Sequence, residues 1–269
     1  MIRTRYTHRA DRFVTIGDIR SVFFSWLHAR KNNGHFYLRM DDATKSNDAR
    51  KIYDHSIADF TWLGVNWDLP DDNVVQGMPG HMKPCSRSVS MRQETYEKEW
   101  KTVPGVMHRS LRGYAYMEAL SFLKQNGFVY DCFLTPEEAK TSNHRDLTNQ
   151  QKCEYWKAGR HQRIRLNLGV VSKRIQHVAF ADQVMAGCMR ADPLRVEDCI
   201  LMESDGSFTD LFTQVVDDVA LGITHVVRAQ MHLKITIRQI LLYAAMDKPI
   251  PTFAHLGLSN LPSLSLIHI

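Results

Sequence analysis

The sequence predicts an α/β fold built on a parallel sheet. Three observations carry that expectation: a strand–helix–strand–helix order near the N-terminus, the same alternation near the C-terminal end, and a glycine or paired carboxylates where strands give way to helices. A short strand near Ile2–Tyr6 opens the chain. After a polar, basic turn, Ile16-Gly17-Asp18 leads into Ile19, Val22, Phe23, Trp26 and Leu27, which share a helical face, and Asp18 is placed to cap that helix. Phe36–Met40 reads as a buried strand that ends at Asp41 and Asp42. A second helix carries Ile52, Tyr53, Ser56, Ile57, Phe60 and Leu63 on one side. Towards the other end, Thr224–Arg228 reads as a strand, and Ile237, Ile240, Leu241 and Ala244 mark the core face of the helix after it. Such alternation implies right-handed crossovers, with ligands bound where strands end and helix N-termini point. Phe23, Phe24, Trp26, Trp62 and Trp67 are expected in the core.

Composition narrows the function classes. The 269 residues are 44% hydrophobic and 23% charged, ordinary globular values that exclude disorder, collagen and coiled coil. The longest apolar run, Ile240–Met246, falls far short of the ~20 residues that cross a bilayer. The basic start of the chain has no apolar signal core, so a cytoplasmic protein with no membrane partner is expected. Cys85, Cys132, Cys153, Cys188 and Cys199 form no Cys-x-x-Cys pair and read as free thiols; no metal site is expected. The thirteen histidines form no His-Glu-x-x-His array, and no Gly-x-Ser-x-Gly elbow supports hydrolase chemistry.

Charge is uneven. Residues 1–80 hold 11 Lys/Arg against 10 Asp/Glu, residues 81–180 hold 17 against 9, and residues 181–269 hold 6 against 10. A middle segment of +8 between a near-neutral and an acidic one suits a polyanion-binding module inserted into a catalytic framework, or equally a solvated basic face. Pro70, Gly77, Pro79, Gly80 and Pro84 make Asp68–Arg92 a long loop.

The motifs fall into a family pattern. Thr4-Arg5, the Ile16-Gly17 turn, Arg20, Leu38-Arg39-Met40-Asp41-Asp42 and Trp62-Leu63-Gly64 appear in order. Leu134-Thr135-Pro136-Glu137-Glu138, Ile164-Arg165-Leu166 and Ser204-Asp205-Gly206 follow. Val215-Val216-Asp217-Asp218, Gly222 to Arg228 and Arg238 to Tyr243 complete the set. Together these resemble the catalytic half of the glutamyl-tRNA synthetases, from Met1 to about Leu258. The resemblance implies a Rossmann-type catalytic domain in two parts, 1–92 and 199–258, around an α+β acceptor-stem-binding insertion at 93–198. It implies ATP and Mg²⁺, glutamate and tRNA as partners, and a monomer. It gives Arg5 and Arg228 to the glutamate carboxylates, Asp41 to the ammonium, and Thr15, Gly17 and Met231 to catalysis and ATP. Arg160, Arg163, Arg165, Lys173 and Arg174 are expected on tRNA phosphates.

Several positions depart from the family. Arg9-Ala10-Asp11-Arg12 stands where the family has Ser-Pro-Thr-Gly, and Thr15 where it has the first histidine of its His-Ile-Gly-His-like signature. Asp210 and Gln214 replace the tyrosine and asparagine of the glutamate pocket, and Gln230-Met231 replaces an acidic pair. Asp210 is expected to repel glutamate unless Arg5 or Arg228 neutralises it. Asp42 reads equally as a ligand or a helix cap, Asp217 and Asp218 as a catalytic pair or as acceptors for backbone N–H groups at a tight turn, and His232 as a helix-start residue without chemistry. The expected function is glutamate–tRNA ligase, truncated and impaired in activation. Alternatives are a paralogue resembling glutamyl-queuosine tRNA(Asp) synthetases and a non-catalytic tRNA-binding homologue. Residues 259–269, ending Leu264–Ile269 like one frame of a sequencing adapter, are expected to be a non-native tail.

Overall fold

The computed structural model describes residues 1–43, 48–70 and 103–257, apart from residues 136, 141, 143, 176 and 186. Most of the expected 68–92 loop and all of the 259–269 tail lie outside the described residues. Five parallel strands form the main sheet in the order β10-β9-β1-β2-β3. They are β1 (Arg3–Arg9), β2 (His35–Asp41), β3 (Val106–His108), β9 (His225–Ala229) and β10 (Thr252–Leu256). Helices α1 (Ile16–Lys31), α2 (Ala49–Trp62), α3 (Gly113–Gln125), α6 (Asp210–Leu221) and α7 (Leu233–Ala245) accompany it. The α/β, Rossmann-type architecture is therefore the observed one. β1 runs three residues past the expected end because Arg3 to Arg9 keep register with His35 to Asp41.

The first helix corrects two expectations. Thr15, not Asp18, is its N-cap: Asp18 is the third helical residue, and the two close a capping box that satisfies both backbone N–H groups. The buried face consists of Asp18, Ser21, Val22, Ser25 and Ala29, leaving Leu27 51% exposed. Small side chains let α1 lie close to the sheet, and the serine hydroxyls find partners in the carbonyls four residues back. Ser25 also accepts from the Thr4 hydroxyl through its carbonyl at 2.8 Å. Phe24 and Trp62 are likewise exposed rather than core, because they occupy outer helix faces, whereas Phe23, Trp26 and Trp67 pack partly buried.

A second group of elements is antiparallel. Its three-stranded sheet orders β4 (Val129–Cys132), β5 (Arg163–Leu166) and β8 (Ile200–Met202), with α4 (Asn149–Lys157) and the one-turn α5 (Leu168–Val171) in the intervening chain. β6 (Val178–Ala181) and β7 (Cys188–Ala191) form a hairpin. β3 falls inside the 93–198 span, yet it bonds to β2, so the parallel sheet reaches past residue 92. α6 ends at Gly222, whose left-handed φ of 63° turns the chain into β9. Among the described residues, no helix is long and apolar enough to cross a membrane. Cys132, Cys153, Cys188 and Cys199 are free thiols.

Candidate active site

Two arginines on neighbouring strands define the site. Arg5 projects from β1 and Arg228 from β9, and both are buried. Arg5 is already paired: Nε and Nη2 donate to the two Asp218 oxygens at 2.8 and 2.9 Å, while the Tyr243 hydroxyl donates to the same carboxylate. Burial opposes the Arg5 charge, but Asp218 prevails and the pKa is raised. Arg228 differs. It donates to Thr236 Oγ1 at 2.5 Å and faces His255 Nε2 at 3.4 Å and the Phe253 ring at 5.4 Å, with no carboxylate in contact among the described residues. Burial, then the nearby Arg5 charge, pushes its pKa down to about 9. A buried guanidinium held short of its counter-ion is suited to an anionic ligand.

The acidic residues are organised by a cation the sequence reading missed. Arg109, one residue beyond β3, donates to Asp41 at 2.8 Å and to Asp210 at 2.5 Å, and its other nitrogen reaches the Phe208 carbonyl. Asp210 thus shares Arg109 with Asp41, with Arg9 at 4.0 Å, and is not met by Arg5 or Arg228. Gln214 accepts from Gln239 at 3.2 Å, and Met231 is 74% exposed on a turn just after β9. Asp42 accepts from the Ser110 backbone and hydroxyl and meets His108 Nδ1 at 3.0 Å. Asp217 and Asp218 are engaged by side chains: Asp218 takes Arg5, and Asp217 takes Arg39 at 2.6 Å, Arg112 and the Tyr116 hydroxyl.

The start of α1 is the other half of the site. Asp18 accepts from the Thr15 backbone and hydroxyl, the Tyr6 hydroxyl and both terminal nitrogens of Arg12. Burial works against this carboxylate, yet those hydrogen bonds hold it well below the usual carboxylate range. Arg9 is paired with Asp11 at 2.5 Å. A Cβ on Gly17 would meet nothing nearer than Thr15 Oγ1 at 3.8 Å, so the space in front of it is open.

The basic residues of the middle segment divide into two groups. Arg160 pairs with Glu138 at 2.8 Å, Arg163 with Glu203 at 2.9 Å, and Arg165 donates to the Asp198 carbonyl. Lys173 and Arg174 are exposed, with the Arg174 guanidinium 4.4 Å from the Phe128 ring centre.

Residues 1–263 match the family model of class I tRNA synthetases (E and Q), catalytic domain. The chain belongs to that family. It is 29% identical over 276 residues to glutamate–tRNA ligase 1 of Caldanaerobacter subterraneus subsp. tengcongensis, covering 97% of this chain and 49% of that protein. It is 30% identical over 273 residues to the glutamate–tRNA ligase of Carboxydothermus hydrogenoformans, covering 96% and 50%. The chain spans about half the length of the curated relatives it matches. A glutamate tRNA ligase from Elizabethkingia meningosepticum, solved in complex with its amino acid, superposes with a TM-score of 0.71 at 20% identity over 96% of this chain and 49% of that one. The enzyme from Elizabethkingia anophelis gives the same score and identity. These solved structures share the fold.

Within this class I catalytic domain, Arg109 and the buried Arg112 carried no local signal, and Arg39, although part of the Leu38–Asp42 motif, gave none for its partner. Their partners lie 68 to 178 residues away in sequence, beyond the reach of any periodicity.

Proposed function

We propose that this class I synthetase domain is the catalytic half of a glutamate–tRNA ligase, with Arg5, Asp41, Gln214 and Arg228 around the amino acid. The observation that carries the reading is Arg228, a buried cation that meets no carboxylate among the described residues, beside an arginine that already has one. A glutamate carboxylate supplies the missing counter-ion. Asp41, held by Arg109, is the acceptor for the ammonium. Asp210 shares Arg109, so its charge opposes glutamate less than its identity alone suggests. In the same reading the elements from β4 to β7 form the acceptor-stem module, and Lys173 and Arg174 meet phosphates, with Arg160, Arg163 and Arg165 joining where they exchange internal partners for RNA.

ATP and Mg²⁺ come with the family, and the nucleotide side fits them poorly. Phosphate favours a helix N-terminus because its N–H groups and dipole are unopposed. Here Asp18 stands at that end, Thr15 is engaged in capping it, and Arg12 and Arg9 are each matched to a carboxylate. Among the described residues no group of three or more His, Cys, Asp or Glu is placed to hold a metal ion. The occupied helix N-terminus favours, as a second reading, a homologue that binds glutamate and tRNA and activates glutamate slowly or not at all.

Calorimetric titration tests the first step. Glutamate is expected to bind the chain and to lose at least tenfold in affinity in Arg228→Ala; equal affinity in both would sink the reading. Glutamate-dependent ATP–pyrophosphate exchange, with the chain fused to the second half of a relative, separates the two readings. A charging assay on tRNA then tells an ester at the 3′ end from a glutamylated base.

A further inference from the structure

Arg228 is held by a chain of three residues from three different elements. His255, on β10, is completely buried and meets Asp182 through both its ring and its backbone: Nδ1 lies 2.5 Å from Oδ2, and the backbone N–H donates to the carboxylate at 3.1 and 3.2 Å. Asp182 follows β6 in the hairpin and also accepts from the backbone N–H groups of Val184 and Met185, so its carboxylate is fixed from several directions. The carboxylate fixes the tautomer. With the proton on Nδ1, Nε2 is an acceptor. Thr236 Oγ1, on α7 and also completely buried, lies 2.7 Å from Nε2, and Arg228 Nη2 donates to the same oxygen at 2.5 Å.

We propose that Asp182, His255 and Thr236 are positioning residues that lock the Arg228 guanidinium in its ligand-binding orientation while keeping it un-neutralised. This rests on Arg228 being the glutamate cation, but its first half, the locking, stands independently. Direction of donation is the argument. Asp182 accepts from His255; His255 Nε2 faces the Thr236 hydroxyl at 2.7 Å and accepts from Arg228 Nε at 3.4 Å; and Thr236 Oγ1 accepts from Arg228 Nη2 while the His232 carbonyl, at 3.1 Å, is a second acceptor for its one proton, so every bond that reaches the guanidinium is donated by it. A carboxylate in direct contact would hold Arg228 more strongly and would also compete with the ligand, as Asp218 does at Arg5. Placing the carboxylate two side chains away fixes the orientation and leaves the counter-ion position to the substrate. The depressed pKa of His255, lowered by burial although Asp182 pulls the other way, keeps Nε2 an acceptor.

Two measurements on the whole chain test this and fail separately. The first needs no ligand. The Arg228 Nε–H signal in a proton–nitrogen NMR spectrum, assigned by its loss in Arg228→Lys, is expected to be sharp in the parent. It is expected to broaden or shift in Thr236→Val and Asp182→Asn, and to recover in Thr236→Ser, which restores the hydroxyl. Unchanged signals in the first two variants overturn the locking role, whatever glutamate does. The second is glutamate titration. Thr236→Val and Asp182→Asn are each expected to weaken binding about tenfold, and Thr236→Val is expected to add nothing in an Arg228→Ala background, since its effect runs through that arginine. Additive losses in the double variant overturn the inference in favour of a general packing role. If the NMR pattern holds but Arg228→Ala binds glutamate like the parent, the locking stands and the assignment of Arg228 to glutamate falls.

Discussion

Arg39 Nε meets Asp217 Oδ2 at 2.6 Å with neither side chain exposed to solvent. Arg112 and Tyr116 reach the same carboxylate, so one acidic residue on α6 ties β2 and the start of α3 to the second half of the sheet. Removing one member of such a group leaves uncompensated charge in a low-dielectric interior. Asp217→Ala is therefore expected to lower stability by about 3–5 kcal/mol, measured by urea denaturation, because two buried arginines lose their counter-ion. A loss below about 1 kcal/mol, the range of an exposed pair, would contradict the assignment.

Stability is expected to fall on mild acidification because of His8. It is completely buried on β1; Nε2 meets Ser56 Oγ at 2.9 Å and the Arg12 carbonyl at 3.1 Å, and Nδ1 has no partner. Burial pushes its pKa down to about 4. The unfolded chain takes up this proton near pH 6.5 and the folded one only near 4, so stability present above 6.5 drains away between those values. The group accounts for roughly 3 kcal/mol across the window. His232, also pushed down to about 4 by burial and by Arg228, titrates in the same range. Asp18 acts lower, since a depressed carboxylate loses its contribution only below its ordinary pKa. His8→Gln is expected to flatten the pH dependence, with the lowered His144, His225, His232 and His255 supplying what remains, read from denaturation midpoints between pH 7 and 4.

How much of this was legible depends on distance along the chain. β2, β9 and, on α7, Ile240 and Leu241 were visible because apolar runs and helical spacing are local signals, whereas Ile237 and Ala244 are only half-buried and Thr236, Gln239, Leu242, Tyr243 and Ala245 complete the buried face. Arg5 and Arg228 were visible because the family motif is contiguous around each. The α1 face was misplaced because Ser21, Ser25 and Ala29 bury through smallness, which apolar periodicity does not register. Arg109 escaped because its carboxylates lie 68 and 101 residues away. The Asp182–His255 contact spans 73 residues and joins a hairpin to an edge strand, a pairing that only the fold creates.

The middle segment's tRNA contacts are expected to come first from Lys173 and Arg174. Arg160 and Arg163 already face Glu138 and Glu203, so an RNA phosphate must displace a carboxylate to use them. Lys173 and Arg174 are exposed on the turn after α5 and, among the described residues, meet no carboxylate. Reversing both charges is expected to weaken tRNA binding and reduce the slope of log affinity against log salt by about two units. Reversing Arg160 and Arg163 is expected to change the slope less. Filter binding across a salt series checks both, and an unchanged slope in the Lys173/Arg174 variant would remove this face from the binding surface.

The final prediction concerns activation. Thr15 stands where the family places a histidine, and here its hydroxyl lies 2.7 Å from Asp18. Loss of one preorganised donor to a developing oxyanion typically costs about 10²–10³ in rate. Slow glutamate-dependent ATP–pyrophosphate exchange is therefore expected of this chain, even when fused to the second half of a relative. Thr15→His alone is expected to help little, because Asp18 remains at the helix N-terminus, held by Arg12 and Tyr6, and opposes phosphate whatever stands at position 15. Removing that carboxylate, in Thr15→His with Asp18→Gly, frees the N–H groups and Arg12 together. The pair is expected to exceed the product of the single changes, since both act on one charge. The double variant loses the capping box, at about 1 kcal/mol or more of stability, so the assay belongs well below its melting temperature. Exchange at ordinary synthetase rates in the parent chain would show that Arg9 or Arg12 leaves its carboxylate when nucleotide binds, and that the paired turn is no barrier to activation.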